Sequence, residues 1–256
     1  MSSFVARGIR TALALAAVSL LAAGCASNPA PPSEPGSTAP AGSTAPGGST
    51  APDDEPHLHT NVDPDHLDVA WLDGGGSIAI ITWGSSTPTC RPVVSDASAD
   101  GQTISLTLSD RPEASEGCDA DLTARGDLVA TPGGVDPSKD VTVSFQYEQI
   151  SGTVELDGVD GDTATSSGQA PSAGWFGDDG IALLSYGSSS CRPKVSNVQL
   201  TEAGATVTFS TTTGMCTMDM APRVTPILLP ELVERDGEFE LTLSGDNLDA
   251  TIQVLG

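Results

Sequence analysis

The sequence predicts an all-β protein: two tandem antiparallel β-sandwich-like (Ig-like) modules that follow a disordered tether. Three observations predict this class. Short segments in the last two thirds of the chain alternate polar and apolar residues, which is the period of half-buried strands. Turn signals such as Asp100-Gly101 stand just before such segments. Residues 71 to 125 can also be laid over residues 175 to 223 with few gaps, so the chain holds two copies of one module.

The N-terminal segment, residues 1 to 24, predicts export. Arg7 and Arg10 precede an apolar run of about a dozen residues, which suits a signal peptide and is short of the roughly 20 residues that a spanning helix needs. The following Leu-Ala-Ala-Gly-Cys resembles the lipobox, in which the cysteine is lipidated and becomes the first residue of the mature chain. Cys25 is therefore the expected site of palmitate and related acyl chains, which would hold the protein on the extracytoplasmic face of the cell membrane.

The next segment, residues 25 to 56, reads as the lipidated cysteine and a tether. Pro, Gly, Ser, Thr and Ala dominate it, and Gly-Ser-Thr-Ala-Pro occurs three times. With little to bury, such a segment cannot offset its ordering entropy, so we expect disorder. About 30 flexible residues span roughly 30 Å, which suits a spacer through the envelope. Ser and Thr beside Pro could also carry sugar.

Charge restricts the partners. The chain has 10 Lys plus Arg and 34 Asp plus Glu, and loss of Arg7 and Arg10 with the signal peptide leaves 8 basic residues and a formal charge of −26. Nucleic acid binding needs clustered basic residues, so nucleic acid is excluded as an expected partner, and anionic lipid headgroups should be repelled. This surface favours solubility and attraction to cations or basic partners.

The repeat sets the domain boundaries: module 1 at residues 66 to 159, a linker at 160 to 172, and module 2 at 173 to 256. Each copy carries Gly-Ser-Ser, then Cys-Arg-Pro, then Cys-x-x-Asp-x-x-x-Arg. Period-two alternation and the repeated C-terminal segments predict strands in both copies. These strands cover residues 103 to 108, 141 to 145, 153 to 156, 205 to 209, 239 to 243 and 251 to 254.

Four cysteines remain after Cys25 and allow three pairings. Because each copy has one early and one late cysteine, the repeat favours the disulfides Cys90-Cys118 and Cys191-Cys216, which an oxidising exterior preserves. Each would contribute about 3 kcal/mol in the chain-entropy account. A zinc site is less favoured, because the chain has no Cys-x-x-Cys pair and no histidine near these cysteines.

Other repeated residues have a structural and a functional interpretation. The Asp-x-x-x-Arg segments, residues 121 to 125 and 219 to 223, could form a structural ion pair or a turn-capping bond. Trp71 and Trp175 could contact sugar or protein from an exposed position, although the end of a strand in the core is favoured. Duplication favours the structural interpretation of the Asp-x-x-x-Arg segments, because a position that the fold of a module needs must recur in every copy.

One cluster has the residue types of a metal site: His57, His59 and His66 beside Asp63 and Asp65. Mixed imidazole and carboxylate ligands suit zinc or copper, but the cluster lies at the edge of the tether, where ordering costs entropy. No cofactor is expected. The Gly-Ser-Ser segments lack the second glycine and the helix of a serine nucleophile elbow, so no catalytic residue is predicted.

The tandem Gly-Ser-Ser, Cys-x-Pro and Cys-x-x-Asp pattern, behind a lipobox and a Pro- and Thr-rich tether, resembles uncharacterised lipoproteins of actinobacteria. The resemblance implies an envelope location and transfers no activity. The expected function is a noncatalytic binding or structural role, with the membrane as one partner through lipid on Cys25 and an envelope protein, a glycan or a cation as another. The alternatives are an extracytoplasmic hydrolase that uses paired carboxylates, and metal capture by the histidine cluster.

Overall fold

A computed structural model describes residues 67 to 111, 117 to 159, 168 to 235 and 237 to 256. All of them belong to one compact unit, Asp53–Gly256. The described residues form strands joined by turns and two short 3₁₀ segments, so the all-β prediction is confirmed. Over these ranges, no helix has the length and apolar content that a membrane crossing requires.

Each copy of the repeat folds into seven strands. The strands of module 1 are β1 (Leu67–Leu72), β2 (Ser77–Gly84), β3 (Val93–Asp100), β4 (Thr103–Ser109), β5 (Thr123–Ala130), β6 (Val141–Tyr147) and β7 (Ile150–Leu156). The strands of module 2 are β8 (Ser172–Phe176), β9 (Gly180–Gly187), β10 (Lys194–Thr201), β11 (Gly204–Ser210), β12 (Ala221–Leu228), β13 (Glu240–Ser244) and β14 (Ala250–Leu255). Each of the six predicted strand segments coincides with a strand of this set, except that Phe239 lies just before β13.

Each module contains two sheets, which we name inner and outer. In module 1 the inner sheet has the order β1-β2-β5 and the outer sheet the order β3-β4-β6-β7. Module 2 repeats this with β8-β9-β12 and β10-β11-β13-β14. A short parallel pairing of β14 with β8, at Val254 with Ala173 and Leu255 with Gly174, joins the two sheets of module 2 into one seven-stranded sheet.

The prediction of two antiparallel Ig-like sandwiches is wrong in its topology. Strand β4 pairs parallel with β6, and β11 pairs parallel with β13, whereas the sheets of an Ig fold are antiparallel. The physical reason is the crossover. After β4 the chain adds β5 to the inner sheet and then returns, so β6 enters the outer sheet in the direction of β4.

Residues of β2 show how the inner sheet faces two neighbours. Ile78 and Ile80 pack into the core between the two sheets of module 1. Ala79 and Ile81 point the other way and pack against residues of module 2. This alternation follows from the period of a strand, in which successive side chains point to opposite faces. The inner sheets are therefore buried on both faces.

The two inner sheets form a shared core. Alanine is common in it, which lets the sheets approach closely, and the cluster comprises Ala70, Leu72, Ala79, Ile81, Phe176, Ala182, Leu184 and Val224. At Gly174 the approach is closest, since a Cβ there would lie 2.0 Å from the carbonyl oxygen of Trp71. The sheets thus stack in one continuous series, and the two modules do not form independent sandwiches.

Candidate functional site

The repeated Gly-Ser-Ser turn is closed by the repeated aspartate. In module 1 the carboxylate of Asp121 accepts a hydrogen bond from the backbone N–H of Ser86 at 2.8 Å. In module 2 the carboxylate of Asp219 accepts the equivalent bond from Ser189 at 3.0 Å. The bond from the Ser86 backbone lowers the pKa of Asp121, and a bond from the hydroxyl of Thr217, together with those from Ser189, lowers the pKa of Asp219. Of the two interpretations of these aspartates, the structure supports turn capping.

The repeated arginine, Arg125 in module 1, holds the same turn by hydrogen bonds to its backbone carbonyl groups. Arg125 is 7% exposed, and its guanidinium donates to the carbonyl oxygens of Trp83 at 3.1 Å, Ser85 at 3.1 Å and Cys90 at 3.0 Å. Burial lowers its pKa. The cation therefore satisfies carbonyl groups at the end of β2 and at the disulfide, which is a structural role.

Module 2 repeats this arrangement. The guanidinium of Arg223 donates to the carbonyl oxygens of Cys191 at 2.9 Å and Tyr186 at 3.1 Å. The glycine of each turn makes room for it, because a Cβ at Gly187 would lie 2.7 Å from Nη2 of Arg223. At Gly84 the corresponding distance to Arg125 is 2.5 Å. The motif Gly-Ser-Ser with a distant Asp-x-x-x-Arg is thus a unit of the fold.

The two disulfides join Cys90 to Cys118 and Cys191 to Cys216, the pairing that the repeat predicts. Their sequence separations are 28 and 25 residues, and their Cα atoms lie 5.8 and 5.5 Å apart. Each ties the segment before the third strand of its module to the segment that carries the capping aspartate. The disulfides therefore fix the same ends of the modules as the arginines do.

A pocket of about 350 Å³ opens between these ends of the two modules. Gly126 of β5 and Val224 of β12 occupy equivalent positions in the repeat, and they are in contact beside the pocket. A Cβ at Gly126 would lie 2.3 Å from Cγ1 of Val224. Contact between equivalent residues is what a local two-fold axis produces. Apolar and proline side chains form much of the wall, contributed by Pro88, Ala124, Pro193, Val195, Val224 and Pro226.

Cationic side chains line this pocket from both modules, and we call it the cationic pocket. They are Arg91 and its repeat equivalent Arg192, with Arg125 and Lys194. Within the part of the chain that the structure describes, no aspartate or glutamate lines it. This composition is unexpected in a protein with 34 acidic residues.

Arg91 shows the electrostatic cost of this arrangement. Its side chain is 12% exposed, and one guanidinium nitrogen lies 3.4 Å from Asp127, while another donates to the carbonyl of Gly126 at 3.2 Å. Its Nε is buried without a hydrogen-bond acceptor among the described residues. Burial lowers the pKa of Arg91 to about 10, against the opposing effect of Asp127, and repulsion from Arg192 and other arginines adds to the lowering.

Arg192 is the more available cation. Its side chain is exposed, and it makes no hydrogen bond or ion pair with a residue of the described ranges. Partial desolvation lowers its pKa, and repulsion from Arg111 contributes. Planar guanidinium groups bind carboxylate and phosphate oxygens through paired hydrogen bonds. Asp127 is the carboxylate near both Arg91 and Arg192, and an anion in the cationic pocket would offset the repulsion that remains between the two cations.

Some predicted site residues lie outside the described residues: Cys25, His57, His59, His66, Asp63 and Asp65. Among the described residues, no group of three or more His, Cys, Asp or Glu side chains could hold a metal ion. Trp71 and Trp175 are 1% and 6% exposed, and Nε1 of Trp71 donates to the carbonyl of Asp157 at 2.8 Å. Their favoured interpretation as core residues is confirmed.

The cationic pocket was not predicted from the sequence, although one signal for it exists. Cys-Arg-Pro occurs in both modules, and its arginines are Arg91 and Arg192. In a chain with 10 basic residues, an arginine that recurs at the same place in both modules is a signal for a charged site. Only the packing of the two modules, however, brings the two arginines to one pocket.

Comparison with known proteins adds no relative: no protein-family model, curated protein or solved structure matches this chain.

Proposed function

We propose that this chain is a lipid-anchored protein of the cell envelope that binds an anionic component of the wall in its cationic pocket, without catalysing a reaction. The signal segment, the lipobox cysteine Cys25 and the tether support the location. One observation carries the binding role. Of the 8 basic residues that follow the signal peptide, four line a single pocket that no described carboxylate enters.

The ligand class that we favour is an acidic sugar unit. The pocket volume of about 350 Å³ is at the lower end of the range of small-molecule sites. Arg91 and Arg192 would pair with the carboxylate or phosphate group, and the hydroxyl oxygen of Thr123, which donates to Asp121, would accept a hydrogen bond from a ring hydroxyl. The proline and valine side chains of the wall suit the apolar face of a ring.

Binding of glucuronate tests this proposal, with glucose as the uncharged control. We expect residues 25 to 256, carrying Cys25→Ser, to bind glucuronate and not glucose in a calorimetric titration. Replacing both Arg91 and Arg192 by Gln should weaken glucuronate binding by about tenfold or more, because two charge-assisted contacts are lost. Lys139→Gln is the matched control, since Lys139 pairs with Asp136 and does not line the pocket. Equal affinity for the two sugars would contradict the proposal, as would a double variant that binds like the wild type.

The membrane attachment has its own test. Cys25→Ser removes the thiol to which lipid would be attached, and it leaves untouched both disulfides, which use other cysteines. We therefore expect this variant to move from the membrane fraction to the soluble extracytoplasmic fraction without loss of stability. If fractionation still finds Cys25→Ser on the membrane, the signal segment itself is the anchor.

A further inference from the structure

The methionines of this chain have an unusual distribution. Apart from Met1, all of them lie within six residues, as Met215, Met218 and Met220. Their exposed fractions are 101%, 101% and 57%. Methionine is normally one of the buried residue types, so three exposed thioethers in one short segment do not serve the core.

The backbone of this segment is fixed to module 2 between the methionines. Cys216 is bonded to Cys191, and the carboxylate of Asp219 accepts from the backbone of Ser189. The hydroxyl of Thr217 lies 2.8 Å from that of Ser188. Because the intervening side chains are tied to the body of the module, the methionines are presented outward as a group.

The short spacing along the chain allows the three thioethers to converge on one small ion. Two residues of extended chain span at most about 7 Å, which limits the Cα separation of Met218 and Met220. Met215 stands three residues before Met218. Each side chain adds an unbranched, flexible arm that ends in sulfur.

Module 1 shows that the fold does not require these methionines. Its equivalent segment has the same disulfide and the same aspartate cap, but Gly117, Ala120 and Leu122 stand where module 2 has methionine. A residue needed by the module's fold would stand in both copies. The methionines are therefore a property of module 2 alone.

We propose that Met215, Met218 and Met220 form a binding site for a soft monovalent metal ion, Cu(I) or Ag(I). Thioether sulfur is a neutral, soft ligand, which favours Cu(I) over hard or borderline ions such as Mg²⁺, Ca²⁺ and Zn²⁺. Asp219 stands between two of the ligands in the sequence, and its carboxylate adds a favourable negative potential for a cation. The ion is bound in its existing oxidation state, so the site needs no electron donor or acceptor.

Silver titration tests this site, since Ag(I) needs no reductant. We expect residues 25 to 256, with Cys25→Ser and both disulfides intact by thiol assay, to bind one Ag(I) in chloride-free buffer. The pair Met218→Leu and Met220→Leu keeps size and apolar character but removes the sulfur ligands, so affinity should fall by about tenfold or more. Leu122→Ala, at the position equivalent to Met220 in module 1, is the control and should bind silver as the wild type does.

The same variants distinguish ligation from other uses of the segment. Competition with a chromogenic Cu(I) chelator in the presence of ascorbate should give the same order of affinities as the silver titration. If the leucine pair binds either ion as the wild type does, the thioethers are not ligands and the proposal fails. If the wild type binds neither ion, the proposal also fails, and an apolar docking surface becomes the better account. The Arg91 and Arg192 double variant should bind silver normally, which separates this test from that of the cationic pocket.

Discussion

Replacing Arg125 by Met should lower the free energy of unfolding by about 3 to 5 kcal/mol, because three carbonyl groups, one buried and two partly buried, lose their donor. The side chain of methionine fills a similar space but cannot donate to the carbonyl oxygens of Trp83, Ser85 and Cys90, which accept from Arg125 in the native protein. Each buried carbonyl left without a donor costs about 1 to 3 kcal/mol, and the losses are not fully additive. Urea denaturation with the disulfides intact measures the change.

Two matched variants serve as comparisons for the Arg125→Met prediction. Arg223→Met should cost somewhat less, because Arg223 donates to two carbonyl groups, those of Cys191 and Tyr186. Lys139→Met should change stability by less than about 1 kcal/mol, because its pair with Asp136 is exposed. If Arg125→Met unfolds at the same urea concentration as Lys139→Met, the arginine does not hold the turn.

Gly174→Ala should lower the free energy of unfolding by about 3 kcal/mol, the upper part of the range for overpacking a core, because Gly174 lies where the two inner sheets pack together. The added Cβ would lie 2.0 Å from the carbonyl oxygen of Trp71, and both atoms belong to sheets that are packed on both faces. The inner sheets must therefore separate, which weakens the contacts of Ala70 and Leu72 with module 2. Denaturant unfolding measures this loss as well.

Gly133→Ala is the control for this substitution. A Cβ at Gly133 meets nothing within 4 Å, so the same chemical change should be neutral or slightly stabilising through the unfolded chain. Equal stability of the Gly174 and Gly133 variants would show that the inner sheets do not approach as closely as described.

The sequence allowed the outer strands to be predicted better than the inner ones, for a physical reason. Strand β4 has one face in solvent, so Ile104, Leu106 and Leu108 alternate with polar residues and reveal the period of a strand. Strand β2 is buried on both faces, and its run of isoleucine and alanine has no such alternation. The parallel pairing of β4 with β6 could not be read locally, because it depends on where β5 crosses to the other sheet.

The candidate site was only partly predictable for a similar reason. The repeat was sufficient to pair Cys90 with Cys118 and Cys191 with Cys216, because each copy carries one early and one late cysteine. The cationic pocket belongs to neither module alone, since module 1 contributes Arg91 to its wall and module 2 contributes Arg192. A net charge of −24 described the average surface and gave no indication that basic residues gather at one place.

The most direct test of the cationic pocket is the NMR signal of each arginine Nε–H group during addition of glucuronate. We expect the signals of Arg91 and Arg192 to shift in a saturable way, because their guanidinium groups receive the anion. The signal of Arg235, which lies over the ring of Trp175 at 4.9 Å from its centroid and does not line the pocket, should not shift. If Arg91 and Arg192 do not respond, or if Arg235 responds equally, the pocket is not the anion site and the proposed function is wrong.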